Sequence, residues 1–261
     1  MLYPQTNRHR CVLDLSGLWK FRADPEDVGE QARWFEGLDT GVEIAVPGSW
    51  NEQLEELGLL HYVGAAWYET TVQVPLLFQG RRLWLRIGSA DYSAKVWVNG
   101  SAVGAHEAGF LPFEFDVTEW AEPGNEVRVT IRVDNRLTDE SIPQGISAEY
   151  YEDERRLREE TSPPARFDFS PFGGIHRPVK LYTTPAAFIQ DIKVDTTVLP
   201  EGKGRVTVRV LTRHSTGLTL RCRLGGSDTD AAAQAEPVDE QATFTFEIHD
   251  CRYWSPASTF L

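Results

Sequence analysis

Cysteine is scarce in this 261-residue sequence, which has three: Cys11, Cys222 and Cys251. An odd, sparse set does not make a disulfide framework, and it predicts reduced thiols in a cytoplasmic compartment. Cys222 and Cys251 share the C-terminal stretch, but a bridge between them is not expected. The six histidines stand apart from one another, with no zinc-ligand spacing, so no metal or other cofactor is expected. No apolar run is long enough to cross a bilayer, which argues against a membrane partner. The start, Met1 to Cys11, carries Arg8 and Arg10 but no apolar core of a leader, so no signal peptide is expected. Positive charge is also short. Lys and Arg number 26 against 39 Asp and Glu, a net charge of -13, and they are scattered rather than striped. That balance argues against a nucleic-acid partner. There is no internal repeat and no low-complexity tract.

What remains is a chain with ordinary apolar content, long enough for one large or two ordinary domains. Its patterning is almost all β. Leu83, Leu85 and Ile87 alternate with Arg82, Trp84 and Arg86, which predicts a strand buried on at least one face. Val127, Val129, Ile131 and Val133 alternate with Arg128, Thr130 and Arg132, which predicts one face on a core and the other in water. Asn99-Gly100 lies between two such runs, and both residues tolerate positive φ, so a tight hairpin is expected there. Val42 to Val46 reads as a strand halted at Pro47-Gly48. Arg33 to Leu38 and Asn51 to Leu60 read as short helical or looped excursions. After Pro185 a second set begins, with strands around Ile192, Val206 to Val210, Leu218 to Cys222 and Phe244 to Ile248. Gly225 to Gln234 reads as a loop. The larger first set suggests a jelly-roll-like sandwich and the second a smaller β-sandwich.

Chemistry concentrates in Arg166 to Pro178, the stretch R-F-D-F-S-P-F-G-G-I-H-R-P. Asp168 sits between Phe167 and Phe169. Ser170-Pro171 and Gly173-Gly174 then supply turn geometry before a strand from Ile175 to Thr183. Aromatic faces meet the C–H groups of a sugar ring, and a carboxylate accepts from its hydroxyls. The same aspartate also suits plain capping of local backbone, and on residue types alone that reading leads. Upstream, Asn135 to Arg166 breaks the strand rhythm with Pro143, Gly145 and the charge run Glu152-Asp153-Glu154-Arg155-Arg156. An excursion that long in a compact domain is more often functional than structural. His176 reads as a hydrogen-bonded structural residue, and Trp67, Trp84 and Trp97 as core rather than stacking platforms.

Several separate stretches together resemble one family. They are Leu15-Ser16-Gly17-Leu18-Trp19, Arg33-Trp34-Phe35, Ile44-Ala45-Val46-Pro47-Gly48-Ser49, Trp67-Tyr68, Lys95-Val96-Trp97-Val98-Asn99-Gly100 and Pro112-Phe113. Asp168-Phe169, Gly174-Ile175-His176-Arg177 and Leu181-Tyr182-Thr183-Thr184-Pro185 follow in the same order. The chain is similar to the N-terminal part of β-glucuronidases, in the glycoside hydrolase family that also holds β-galactosidases and β-mannosidases. The resemblance implies an all-β chain. A jelly-roll sugar-binding domain is expected over 1–185, and a smaller immunoglobulin-like sandwich, C-terminally incomplete, over 186–261. Tyr253-Trp254-Ser255-Pro256 resembles a segment near the end of that second domain. The family's catalytic (β/α)8 barrel is not matched.

Retaining hydrolysis needs two carboxylates about 5 Å apart. The family carries both on the barrel, the acid within an Asn-Glu-Pro motif that does not occur here. Asn51-Glu52 and Asn125-Glu126 are therefore not read as catalysts, and no catalytic residue is expected in this stretch. The resemblance gives Asp168 a role: the family has an aspartate there that binds substrate hydroxyls. Ser170-Pro171-Phe172-Gly173 replaces the family's usual Phe-Asn-Tyr-Ala, which alters the turn behind it. The expected partner is a carbohydrate, a β-glucuronide or related glycoside, with a homo-oligomer left open. The alternative is a stand-alone carbohydrate-binding or assembly module.

Overall fold

The structure is a computed structural model that describes residues 3–138, 141–142, 172–225, 230–249, 251–257 and 259. The chain divides into two compact units, Gln5–Thr184 and Pro185–Leu261, the latter grouped with Met1–Pro4.

In the first unit the strands are β1 (Val12–Asp14), β2 (Gly17–Asp24), β3 (Val42–Val46), β4 (Gly48–Ser49), β5 (Ala65–Gln73) and β6 (Arg82–Asp91). They continue with β7 (Ser93–Val98), β8 (Ser101–Glu107), β9 (Phe113–Asp116), β10 (Glu126–Asp134) and β11 (Gly174–Thr184). One sheet runs β1-β11-β6-β9 with β4 added to β11, and the other runs β3-β2-β5-β10-β7-β8. All pairings are antiparallel. This is the jelly-roll-like sandwich the sequence predicts. Period-2 alternation aims one set of side chains from each sheet at the other. Leu83, Leu85 and Ile87 meet Val179 and Leu181 on one side of the core, while Trp19, Phe21, Tyr68, Val129 and Ile131 line the other. The Asn99-Gly100 hairpin forms as expected, with φ of 50° and 82° at the two turn residues. The Asn99 side chain also accepts from the Arg128 amide at 2.9 Å and donates to the Trp120 carbonyl at 2.9 Å.

The outer face of the six-stranded sheet departs from expectation. The polar face of β10 does not lie in water: Thr130 and Arg132 are buried. The excursion between β2 and β3 folds over it. Trp34, Phe35 and Leu38 from that excursion pack on Trp67 and Trp97, and the two strand tryptophans stack 5.1 Å apart. Both are core, as expected. Asp24 anchors the excursion by accepting from the Val28 and Gly29 amides and from Trp67 Nε1 at 2.8–2.9 Å. Arg132 then pairs with Asp27 at 2.6 Å and Asp134 at 3.0 Å, so its charge is compensated where it lies. Trp84, on the other sheet, is only half-buried; it stacks on Tyr182 and donates to Thr184 Oγ1 at 3.1 Å.

In the second unit β12 (Phe188–Leu199), β13 (Lys203–Arg213) and β16 (Gln241–Ile248) form one sheet, and β14 (Leu220–Gly225) pairs with β15 (Asp230–Ala235). The core is Val208, Val210, Ala242, Phe244 and Phe246, with Leu220, Cys222, Leu224 and the alternate alanines Ala231, Ala233 and Ala235 packed on it. The expectation of a loop over Gly225 to Gln234 is corrected: β15 begins at Asp230. Alanine and aspartate are poor strand formers, so the segment has little strand signal of its own. Pairing with β14 and partial burial of every second residue, Ala231, Ala233 and Ala235, supply the stabilisation. Cys11, Cys222 and Cys251 are free thiols.

Candidate functional site

Asp168 and its flanking Phe167 and Phe169 lie outside the described residues, as does most of the Asn135 to Arg166 excursion. What the structure defines is the place where the chain leaves β10 and where it enters β11. Those two points are side by side, and one buried polar cluster fixes both.

The cluster grows from a short helical turn, α1 (Trp50–Gln53), whose N-cap Ser49 accepts from the Asn51 amide at 3.1 Å. That turn drives the Asn51 side chain inward, where it is 2% exposed. Asn51 Nδ2 donates to the carbonyls of Leu59, Leu60 and Tyr62 at 3.0, 3.0 and 3.1 Å. Its Oδ1 accepts from the Gly173 amide at 2.8 Å. Asn135, the first residue after β10, accepts from the Gly64 amide at 2.8 Å through Oδ1 and donates to the Tyr62 carbonyl at 3.3 Å through Nδ2. The Trp50 amide donates to the Gly173 carbonyl at 3.2 Å. A buried primary amide offers two donors and an acceptor, and at Asn51 each is used. Burial pushes the Tyr62 phenol well up from its ordinary range, so its hydroxyl stays a donor, to the Ala65 carbonyl at 2.6 Å.

The paired glycines serve different ends. Gly174 has a φ of 149° and pairs with Ser49 across the β4–β11 bridge, so it does provide the unusual backbone angle that was expected. Gly173 is glycine for space. A Cβ there would lie 2.0 Å from Trp50 Cζ2 and 2.7 Å from the Asn135 Cβ.

A second cluster adjoins the mouth of β11. Asp91, buried at the end of β6, accepts from Ser89 Oγ at 2.9 Å and from the Phe110 amide at 3.0 Å. Its other oxygen lies 3.5 Å from His176 Nε2, which is 3.2 Å from the Phe172 carbonyl. His176 is thus a hydrogen-bonded structural residue, as its sequence setting implies. Among the described residues no group of three or more His, Cys, Asp or Glu side chains is arranged to hold a metal ion, and no helix is long and apolar enough to cross a membrane. The sequence reading missed Asn51 and Asn135. Their signal was available only as polar residues next to Trp50 and at the end of a clean strand, with nothing to say that they converge.

The first unit is of the class of sugar-binding β-sandwich domains: residues 12–185 match the sugar binding domain of glycosyl hydrolases family 2. The chain belongs to that family. It is 37% identical over 262 aligned positions to a β-glucuronidase of Paenibacillus borealis, an alignment that takes in 100% of this chain and 43% of that one. It is 35% identical to the β-glucuronidase of Homo sapiens, over 92% of this chain and 39% of the relative. Among solved structures, a β-glucuronidase from an uncultured Clostridium superposes with a TM-score of 0.80 at 34% identity, covering 98% of this chain and 42% of its own. The β-glucuronidase from Ruminococcus gnavus in complex with D-glucaro-d-lactam gives 0.78 at 28%, covering 97% and 42%. The chain therefore spans about two fifths of the length of these relatives.

Proposed function

We propose that this chain is the non-catalytic, sugar-contacting N-terminal part of a retaining β-glucuronidase, with Asp168 as its one substrate contact. The carrying observation is the family match over 12–185 together with 37% identity along the whole chain to a β-glucuronidase. The buried amide cluster supports it, because residues that only cap a turn do not need both ends of the excursion pinned to one scaffold. In this reading Asn51, Asn135 and Trp50 hold the base, and the excursion carries Asp168 toward hydroxyls of the glucuronide. The pair of carboxylates that cleaves the bond lies in the remainder of the enzyme. The described buried carboxylates support that division. Asp24, Asp91 and Asp134 all accept structural hydrogen bonds from amides, hydroxyls or guanidinium groups. In this reading the second unit is an immunoglobulin-like scaffold domain, and the compartment is cytoplasmic.

The test has two arms. The 261-residue chain alone should not turn over a chromogenic glucuronide. In a longer protein that includes the rest of the enzyme, Asp168→Ala should lower kcat/KM by about 1–3 kcal/mol, the scale of an unpaired polar partner, with the fold intact. Full activity in the alanine variant would return Asp168 to local capping. Glycoside binding by a natural protein without a catalytic partner would favour a stand-alone binding module.

A further inference from the structure

The second unit leaves part of its own core face uncovered. In its three-stranded sheet, Ile192, Val194 and Thr196 of β12 stand opposite Val210, Val208 and Val206 of β13. They therefore belong to the face that carries the core. The β14–β15 ribbon packs on that face over Val208, Val210, Ala242, Phe244 and Phe246. Ile192 and Val194 stay 41% and 57% exposed, and Val198, further along the same row, 69%. Among the described residues β12 is also an end of the sheet order β12-β13-β16. From Lys193 to Val198 its outer edge presents main-chain groups along a stretch rich in β-branched residues and free of proline and glycine. An edge of that composition is a template for another strand.

The charges on the opposite face of β12 choose the partner. Lys193 stands opposite Arg209 on β13. Both cations draw on Asp195, which Arg209 holds and from which Lys193 Nζ lies 3.8 Å. Laid antiparallel against a second copy about Val194, β12 puts Lys193 of each copy opposite Asp195 of the other. Val194 then faces its own counterpart, and Ile192 faces Thr196. Centring the pair one residue either way sets two Asp195 carboxylates or two Lys193 ammonium groups opposite each other, so charge selects the register. We infer that this edge is an isologous interface, at which two copies of the chain join through β12 in the register centred on Val194. So few paired residues make a small interface, and the dimer is weak and in exchange with monomer.

Sedimentation equilibrium of the 261-residue chain tests this, with self-association expected in the micromolar range. Lys193→Asp puts carboxylate opposite carboxylate and should weaken the dimer about tenfold. Asp195→Lys should do the same. An equimolar mixture of the two variants, each shown folded by circular dichroism, should nevertheless dimerise, because each offers the charge the other lacks. A second measurement does not depend on Asp195→Lys folding. With oxidised glutathione as the oxidant, Val194→Cys should give a disulfide-linked dimer beyond any formed by the unaltered chain, and adding Lys193→Asp should suppress it. Ile192→Cys, which faces Thr196 and not itself, should not cross-link. A chain that stays monomeric, a dimer unaffected by Lys193→Asp, a mixture of folded variants no more associated than its components, or cross-linking at 192 as fast as at 194 each overturns the interface.

Discussion

Replacing Asn51 by alanine should destabilise the first unit by about 4–5 kcal/mol. The estimate follows from its bonds. Two amide hydrogens are shared among the carbonyls of Leu59, Leu60 and Tyr62, and Oδ1 takes the Gly173 amide. Three bonds at about 1 kcal/mol each are lost, and the Gly173 N–H, left unpaired where water does not reach, adds about 1–2 kcal/mol. For a unit of this size that lowers Tm by about 10 °C. Urea and thermal unfolding of the 261-residue chain, read by far-UV circular dichroism, measure it. Asn51→Asp sharpens the test. The aspartate keeps the acceptor for Gly173 but turns an oxygen toward three carbonyls, so its carboxyl is held protonated in the fold and its pKa is raised. A raised folded-state pKa gives stability that is fully present below the unfolded value and lost as pH rises through the folded one. Asn51→Asp should therefore recover on acidification, and Asn51→Ala should not. A loss under 1 kcal/mol for the alanine variant, or identical pH behaviour of the two, would refute the assignment of Asn51 as the pin.

Other outcomes follow from the same structure. Gly173→Ala must push a methyl into the Trp50 ring and the Asn135 Cβ, so it should cost about 2–3 kcal/mol by overpacking, measured by urea midpoint. Trp67→Ala should cost about 3–5 kcal/mol, since the ring is fully buried, stacks on Trp97 and donates to Asp24; a loss below 1 kcal/mol in denaturant would show that the excursion does not cover the sheet. For Asp27 and Asp116, burial is the largest single influence and works upward. It is outweighed, at Asp27 by Arg136 and Arg132, and at Asp116 by the Thr118 hydroxyl and amide and by Arg82, so both carboxyls sit below their ordinary value. A depressed folded-state pKa gives stability that is present above the unfolded value, about 3.9, and lost as pH falls through the folded one. Stability should thus decline below about pH 4, and Asp116→Asn should flatten that acid limb in a pH series of Tm values.

The local pattern determined a good deal. Alternation in Leu83–Ile87 and Val127–Val133 set which side chains face the core, because a pleated strand has a period of two and one face must leave water. Asn99-Gly100 set a hairpin, because both residues accept positive φ. The Pro47-Gly48 stop and the short turns after Ser49 were legible for similar local reasons. The ordered series of short matches made the family recognisable, since their sequence and spacing carry information that no single motif holds.

Tertiary structure alone decided the rest. That Arg132 is buried and not solvated depended on an excursion more than ninety residues earlier in the chain folding over it; no pattern within β10 encodes that cover. β15 exists because β14 pairs with it, and its alanines have too little intrinsic preference to announce a strand. Asn51 and Asn135 converge on the Tyr62 carbonyl only because β4 and β10 bring two distant points of the chain to one rim. Gly173 reads in sequence as a flexible turn residue, and it is the closeness of the Trp50 ring that requires it. A hydrogen bond or a close approach is a relation between residues that are far apart in the chain, so it comes into being only when the sheets have closed.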